Sequence, residues 1–350
     1  MHKAVSIILI LIPMITAAQS GGRGTYSFLD LPASARSAAM GGQLISIKDS
    51  DINLVNDNPA LLDSNMDNNA SLTYINYLAD INFGYGTYAK HYSGVGTFSA
   101  GMQYINYGTF QRADEYGIRN GEFSAGEYAL DVTYGHTINR LWSVGASAKL
   151  IYSSFDSYHS FGTALDLGVH YQSFDENFSM GAVLNNIGYQ VKPYVSGNRE
   201  NLPFEAQFAA SYKLDKAPIR FTFHAGHLQR PNLMYEKPEE GQPFLLPSGV
   251  QQSEPPEQGA FSLENFMRHA VLSAEILPSD NFHIRFGFNY LRRAELTATE
   301  ARSGLAGFSL GTGFRVKKFD FSYGLASYHL AGFSHHLTLA TNFNEFIRKG

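Results

Sequence analysis

The residues whose chemistry stands out first are acidic and close together. Asp49-x-Asp51-x-Asn53 matches the opening of a calcium loop, where alternate oxygen side chains fold around one ion. The match stops there: the sixth position is Leu54 where a tight turn needs Gly, and the twelfth is Ala60 where Glu is needed. This excludes an EF-hand and leaves a looser ion site as the alternative. His335 and His336 are adjacent, so on a strand they point to opposite faces and cannot chelate one ion together. No G-x-S-x-G, H-E-x-x-H or phosphate loop occurs. A hydrolase built from dispersed Ser, His and Asp stays open, because such triads leave no local spacing. The expectation is no catalytic residue, no metal and no cofactor.

Whatever positions these groups, it is not an ordinary soluble core. The chain has 350 residues, no Cys, 26 Phe, 21 Tyr and 33 Gly, and only 16% charged residues. Aromatic richness argues against disorder. With 26 Lys+Arg against 31 Asp+Glu the net charge is -5, so no basic excess exists to bind nucleic acid. Without Cys there are no disulfides, thiolate metal sites or lipidated N-terminal Cys. At the start, His2 and Lys3 precede an apolar run from Val5 to Ile15, and Thr16-Ala17-Ala18 offers small residues for cleavage before Gln19. The run is too short for a membrane helix, which needs roughly 20 residues. Residues 1–18 are therefore expected to be a cleaved signal peptide for export.

Beyond it, period-two alternation recurs. Phe282, Ile284, Phe286 and Phe288 alternate with His283, Arg285 and Gly287; Leu165, Leu167 and Val169 alternate with Asp166 and Gly168. One face is aromatic or branched, the other small, polar or charged. Such runs, longer than typical soluble strands, with Tyr104, Tyr107, Trp142, Tyr152, Tyr212, Phe282 and Tyr328 near their ends, suit a transmembrane barrel with aromatic girdles. Fourteen strands are expected, over 70–78, 81–91, 95–107, 127–138, 141–154, 161–172, 177–187, 204–214, 218–228, 267–277, 281–291, 305–316, 318–328 and 334–343. Connections after even strands are short; those over 108–126, 188–203, 229–266 and 292–304 are longer. Short turns face the periplasm and long loops the outside, so the chain starts and ends on the periplasmic side. The fold class is all-β: a 14-stranded antiparallel transmembrane β-barrel spanning 70–350, placed in the outer membrane and in contact with its lipid.

Residues 19–69 precede the barrel. Phe28, Leu29, Leu31, Leu44, Ile45, Leu54, Leu61 and Leu62 make this segment too apolar for a free tail, which favours a plug folded into the lumen over a disordered periplasmic arm. A short helix is expected within 25–42, with Pro32 in its first turn and Gly41-Gly42 at its end. Asp131, Lys149, Asp166, Glu205, Arg220, Glu275, Arg285 and Asp320 should face inward, either lining a conduction path or pairing with one another and with the plug.

The loop 229–266 carries six of the 13 prolines, and six glutamates against Arg230 and Lys237. Proline excludes a missed hairpin. The loop reads either as a solvated surface loop or as a protein-docking loop. In the docking reading Phe244, Leu245, Leu246, Phe261 and Phe266 are apolar anchors and Glu236, Glu239 and Glu240 an acidic rim.

The segment Tyr26-x-Phe28-Leu29-x-Leu31-Pro32-x-Ser34-Ala35-Arg36-x-Ala38-Ala39-Met40-Gly41-Gly42, followed by Asp49-x-Asp51 and Asn58-Pro59-Ala60-Leu61-Leu62, resembles the PorV/PorQ family of the Bacteroidetes type IX secretion system, within the FadL-like superfamily. The motifs cover 25–62, and the rest matches in length and strand pattern only. The resemblance implies a FadL-like barrel with an N-terminal hatch held by Arg36, Gly41, Gly42, Asn58, Pro59 and Ala60. Its PorQ branch implies a non-enzymatic role in protein secretion: anchoring a PorZ-like surface protein in an attachment complex with the PorU sortase and PorV. The wider superfamily implies the alternative, an outer-membrane transporter of hydrophobic small molecules.

Overall fold

A computed structural model describes residues 24–77, 81–113, 116–234, 262–297, 304–329 and 332–347. The expected signal peptide, and residues 235–261 of the expected docking loop, lie outside them.

Fourteen strands close into one antiparallel barrel, each paired with its sequence neighbours and the first with the last. They are β1 Asn69–Asn76, β2 Asn82–Tyr92, β3 Gly96–Ala113, β4 Arg119–Thr137, β5 Trp142–Phe155, β6 Tyr158–Gln172, β7 Phe178–Lys192, β8 Glu205–Lys213, β9 Ile219–Ala225, β10 Ala270–Ser279, β11 Phe282–Asn289, β12 Phe308–Val316, β13 Phe319–His329 and β14 Gly332–Asn342. Closure leaves no unpaired edge, the condition for a sheet that crosses lipid. Alternation sets the faces: Leu72, Leu130, Val132, Leu150 and Phe286 point out and are exposed, while Ser71, Thr133, Lys149 and Arg285 point in and are buried. Among the described residues no helix is long and apolar enough to cross a membrane. Exposed large apolar side chains line the outer face of the strands.

Four expectations are corrected. The connection 108–126 is mostly strand: β3 runs to Ala113 and β4 starts at Arg119, with Phe110 stacked on Phe123 at 5.3 Å. Its mixed polarity hid it, because no bilayer contact enforces alternation that far out. Likewise β7 continues to Lys192 into the expected loop 188–203. Residues 267–269, expected as strand, belong to helix α2, Leu263–His269, capped by Ser262 accepting from the Asn265 amide. A further helix, α3, spans Tyr290–Thr297, over the last two residues of the strand expected at 281–291 and the start of the loop expected at 292–304. Two expected girdle residues also face inward. Tyr107 donates to Glu127, and Tyr328 packs edge-on against Tyr77 after an irregularity between Ala326 and His329 shifts the β13 phase.

Residues 24–68 lie inside the barrel. Gly24 bridges Asn201 at the long-loop end; beside the short turns the Asn68 amide donates to the Ala89 carbonyl and the Asn68 carbonyl accepts from the Phe343 amide. The segment thus runs down the whole lumen. Its helix, α1, is Ala35–Ala39, capped by Ser34. Pro32 lies two residues before the cap rather than in the first turn. Gly41 does end the helix, at φ +90, a conformation that favours glycine.

Candidate functional site

The strongest constellation in the lumen centres on Arg36. Its Nε donates to Glu275 Oε1 at 2.9 Å, Nη1 to Asp49 Oδ1 and Asp51 Oδ2 at 3.0 Å each, and Nη2 to Asp49 Oδ2 at 2.7 Å and Glu275 Oε2 at 2.9 Å. A guanidinium has five N–H groups, and all five are used. Arg220 joins through Nη1 to Asp49 at 3.1 Å and Glu275 at 3.0 Å, and Arg285 through Nε to Glu275 at 3.0 Å. Three guanidinium groups face three carboxylates, so the cluster is neutral. Glu275 is wholly buried on β10, with Arg220 of β9 and Arg285 of β11 directly opposite it in register. Burial would push Asp49 up, but Arg36 and then Arg220 outweigh it and hold its carboxyl well below the usual range.

This gives the acidic triplet its role. Asp49 and Asp51 are ligands of a guanidinium, and Asn53 bonds Asp51 and Ser71. Among the described residues no group of His and carboxylates is arranged to hold a metal. The expected inward charges all sit on the lumen side. Lys149 pairs with Asp166 at 2.7 Å and donates to Asn186 at 3.0 Å; Glu205 accepts from the His227 amide at 3.1 Å; Asp320 lies 3.7 Å from Arg315. Asp131 lies opposite Lys149. The pairing alternative, rather than a line of free charges, describes Arg36, Arg220, Glu275, Arg285, Lys149 and Asp166.

The barrel wall receives the inner segment through glycines. Gly135, Gly145 and Gly168 lie side by side on β4 to β6, with Gly181 on β7 two residues out of register; a Cβ there would overlap the backbone of Leu62, of Pro59, the side chain of Asn58 and the backbone of Ile45. On the opposite wall Gly287, Gly311 and Gly324 of β11 to β13 make the same room for Gly41, Ala39 and Ala35. These two stripes were missed in the sequence. The signal was present as Gly at inward positions of the alternation, but which glycines receive the segment depends on neighbours far along the chain.

Asn58-Pro59-Ala60 forms a 3-10 turn with Leu61, in which Asn58 Oδ1 accepts from the Ala60 amide at 2.9 Å and Nδ2 donates to the Ile45 carbonyl at 2.7 Å. Asp57 links this turn to α1, accepting from Ser37 Oγ at 2.6 Å and the Leu44 amide at 2.9 Å. Burial pushes the Asp57 carboxyl up to about 7, against those two hydrogen bonds. Arg36, Gly41, Asn58, Pro59 and Ala60 therefore meet the wall directly, while Gly42 has open space around its α-carbon.

Two cavities flank the segment. The inner one, about 770 Å³, opens among the short turns and is lined by Arg36, Asp49, Arg220, His283, Arg285 and Asp320, with others. The outer one, about 470 Å³, lies at the long-loop end, between Tyr26, Tyr107, Glu127, Phe155, Tyr194 and Glu200, with others. Buried Phe28, Leu29, Met40, Leu44 and Leu54 occupy the interior between the ends. A Ser–His contact exists, Ser334 Oγ with His336 Nε2 at 2.9 Å, but Ser334 gives its proton to the Ala326 carbonyl at 3.0 Å. Its polarity is wrong for a nucleophile, whose proton must go to the imidazole. His335 points the other way, toward Tyr323.

Of the expected docking residues, Phe244, Leu245, Leu246, Phe261, Glu236, Glu239 and Glu240 lie outside the described residues. Phe266 is on α2, stacked 6.4 Å from Phe223 at the outer rim and half exposed.

No family model matches the chain, and no curated protein matches it. Among solved structures it is similar to the toluene transporter TodX of Pseudomonas putida: 12% identity, TM-score 0.48, covering 89% of this chain and 96% of that one. It is similar to a FadL homologue of Pseudomonas aeruginosa at 10% identity and TM-score 0.46, covering 89% and 98%. A Rhodopseudomonas blastica porin aligns at 9% identity and TM-score 0.28, covering 78% and 96%.

Proposed function

We propose that this chain is a plugged outer-membrane barrel that works as an anchor rather than a conduit, holding a PorZ-like surface protein in a type IX attachment complex with PorU and PorV. The observation that carries the sealed state is the saturation of Arg36: a buried guanidinium tied by five hydrogen bonds to the buried Glu275 of the wall and to two partly exposed carboxylates of its own segment is a structural seal. An anchor needs a closed lumen and an outer surface; a conduit needs a path. Arg36, Gly41, Asn58, Pro59 and Ala60, which belong to the motifs that carry the family resemblance, contact the wall, which supports reading 25–62 as a hatch. The role is non-enzymatic. The expected contacts outside are Phe244, Leu245, Leu246, Phe261 and Phe266, with Glu236, Glu239 and Glu240 steering approach.

The test is affinity purification from solubilised outer membranes, comparing wild type with a chain lacking most of 232–262. Recovery of secretion-machinery proteins by the wild type alone supports the anchor; equal retention by the shortened chain moves the docking site to another loop. A second reading, transport of hydrophobic small molecules, is favoured by the aromatic lining of the outer cavity. Recovery of bound lipid without partner protein, together with uptake that depends on the barrel, would select it.

A further inference from the structure

The outer cavity combines an aromatic lining with carboxylates, and neither function above accounts for the acids. Its walls are aromatic: the Tyr107 and Phe155 rings lie 5.5 Å apart, and Phe155 meets Tyr194 edge-on at 5.9 Å. Tyr26, held at φ 58 over Gly162, is part of the lining. Two carboxylates, Glu127 and Glu200, also line it, and among the described residues no Lys, Arg or His does. Glu127 is 3% exposed, and its hydrogen bonds come from neutral donors, the Tyr107 hydroxyl at 2.6 Å and the Ser153 hydroxyl. The contrast with Arg36 is direct, because there every carboxylate has a guanidinium. A buried carboxylate without a counter-charge is costly. Aromatic ring faces carry negative electrostatic potential and attract cations. The volume falls in the range of small-molecule sites.

We propose that the outer cavity binds an organic cation, a guanidinium or alkylammonium group on a small apolar body, with the charge against Glu127 and Glu200 and the body among Tyr107, Phe155 and Tyr194. The site commits to a small ligand and does not depend on the anchoring role. Rings and carboxylates divide the work: the rings take the apolar body and the acids select charge.

Benzamidinium and its neutral isostere benzamide are the probes, titrated calorimetrically against the full mature barrel in an uncharged glucoside detergent. Saturable benzamidinium binding, at least tenfold tighter than benzamide and weakened by salt, is expected. Glu200→Gln, in the loop beyond β7, should weaken the cation several-fold and leave benzamide unchanged. Glu127→Gln should do the same, and Tyr107→Leu should weaken both probes. Heat-modifiable gel mobility identifies variants that still fold; if only Glu200→Gln does, that variant with the isostere comparison decides. Equal binding of the two probes, or wild-type cation affinity in Glu200→Gln and Glu127→Gln, overturns the proposal. So does a requirement for Arg23→Gln before any probe binds, since the site would then belong to the chain's own guanidinium.

Discussion

The two ends of the lumen solve the problem of buried charge in opposite ways. At the inner end, three guanidiniums and three carboxylates cancel, and Arg36 spends every donor it has. At the outer end, two carboxylates lie among rings, and no cation lines the cavity among the described residues. Charge at the inner end is internally satisfied and so serves structure, coupling the segment to β9, β10 and β11. Charge at the outer end is left over and so is available to something else. A barrel with both is locked at one mouth and receptive at the other.

The sharpest way to break this contrast is at Arg36. Arg36→Leu leaves three carboxylates with two guanidiniums, one of them completely buried; removing one partner of such a cluster costs about 3–5 kcal/mol. A fall in unfolding temperature and the appearance of stepwise ion conductance in planar bilayers are expected. Arg36→Lys keeps the charge but cannot make five bonds, so the loss should be smaller. An unchanged, silent barrel in Arg36→Leu would show that the lock lies elsewhere.

Next in size is the wall. Gly145→Val places a side chain in the Pro59 backbone, and overpacking of this kind costs about 1–3 kcal/mol. Protease sensitivity of residues 25–66 should rise while barrel insertion continues. A variant as protected as wild type would mean that the glycine stripe does not seat the turn.

Asp57 offers a milder, pH-dependent effect. Its folded carboxyl titrates near 7, against about 3.9 for an unfolded Asp. The folded state therefore holds more protons between those values, and stability falls as pH rises from about 4 to 7, then levels off. Asp57→Asn should flatten this slope between pH 5 and 8 in thermal unfolding. A slope identical to wild type would remove Asp57 as its source.

The last prediction concerns which mouth is which, and changes no energy. The chain has no Cys, so single cysteines report cleanly. Ser27→Cys, exposed at the outer cavity, should react with an impermeant maleimide on intact cells, while Asp280→Cys in a short turn should not. The reverse labelling would exchange the two mouths.

Much of the fold could be read directly. Fourteen strands and their inward faces followed from alternation, because a wall with lipid on one side and a polar lumen on the other imposes period two on each strand. The extensions of β3, β4 and β7 beyond the expected ends were hidden for the complementary reason: outside the lipid nothing penalises mixed polarity. Tyr328 escaped because a local irregularity reverses phase without any mark in composition. Within the site, Arg36, Asp49 and Asp51 stood out, yet the calcium-like spacing suggested a different chemistry for the acids. Glu275, 239 residues from Arg36, decided the matter, and no local pattern links the two.

The sequence by itself determined the class of solvent on each side of the wall, the number of crossings and the end that carries the long loops. These are properties of short segments, written in period, length and turn residues. Only the tertiary structure decided that Arg36 belongs to Glu275 and Asp49, that glycines on opposite walls seat α1 and the Asn58-Pro59-Ala60 turn, and that Glu127 and Glu200 face a ring-lined space. Those are pairings across a closed barrel. Closure brings together residues whose separation along the chain carries no signal, and electrostatic balance is a property of the assembled neighbourhood rather than of any one stretch.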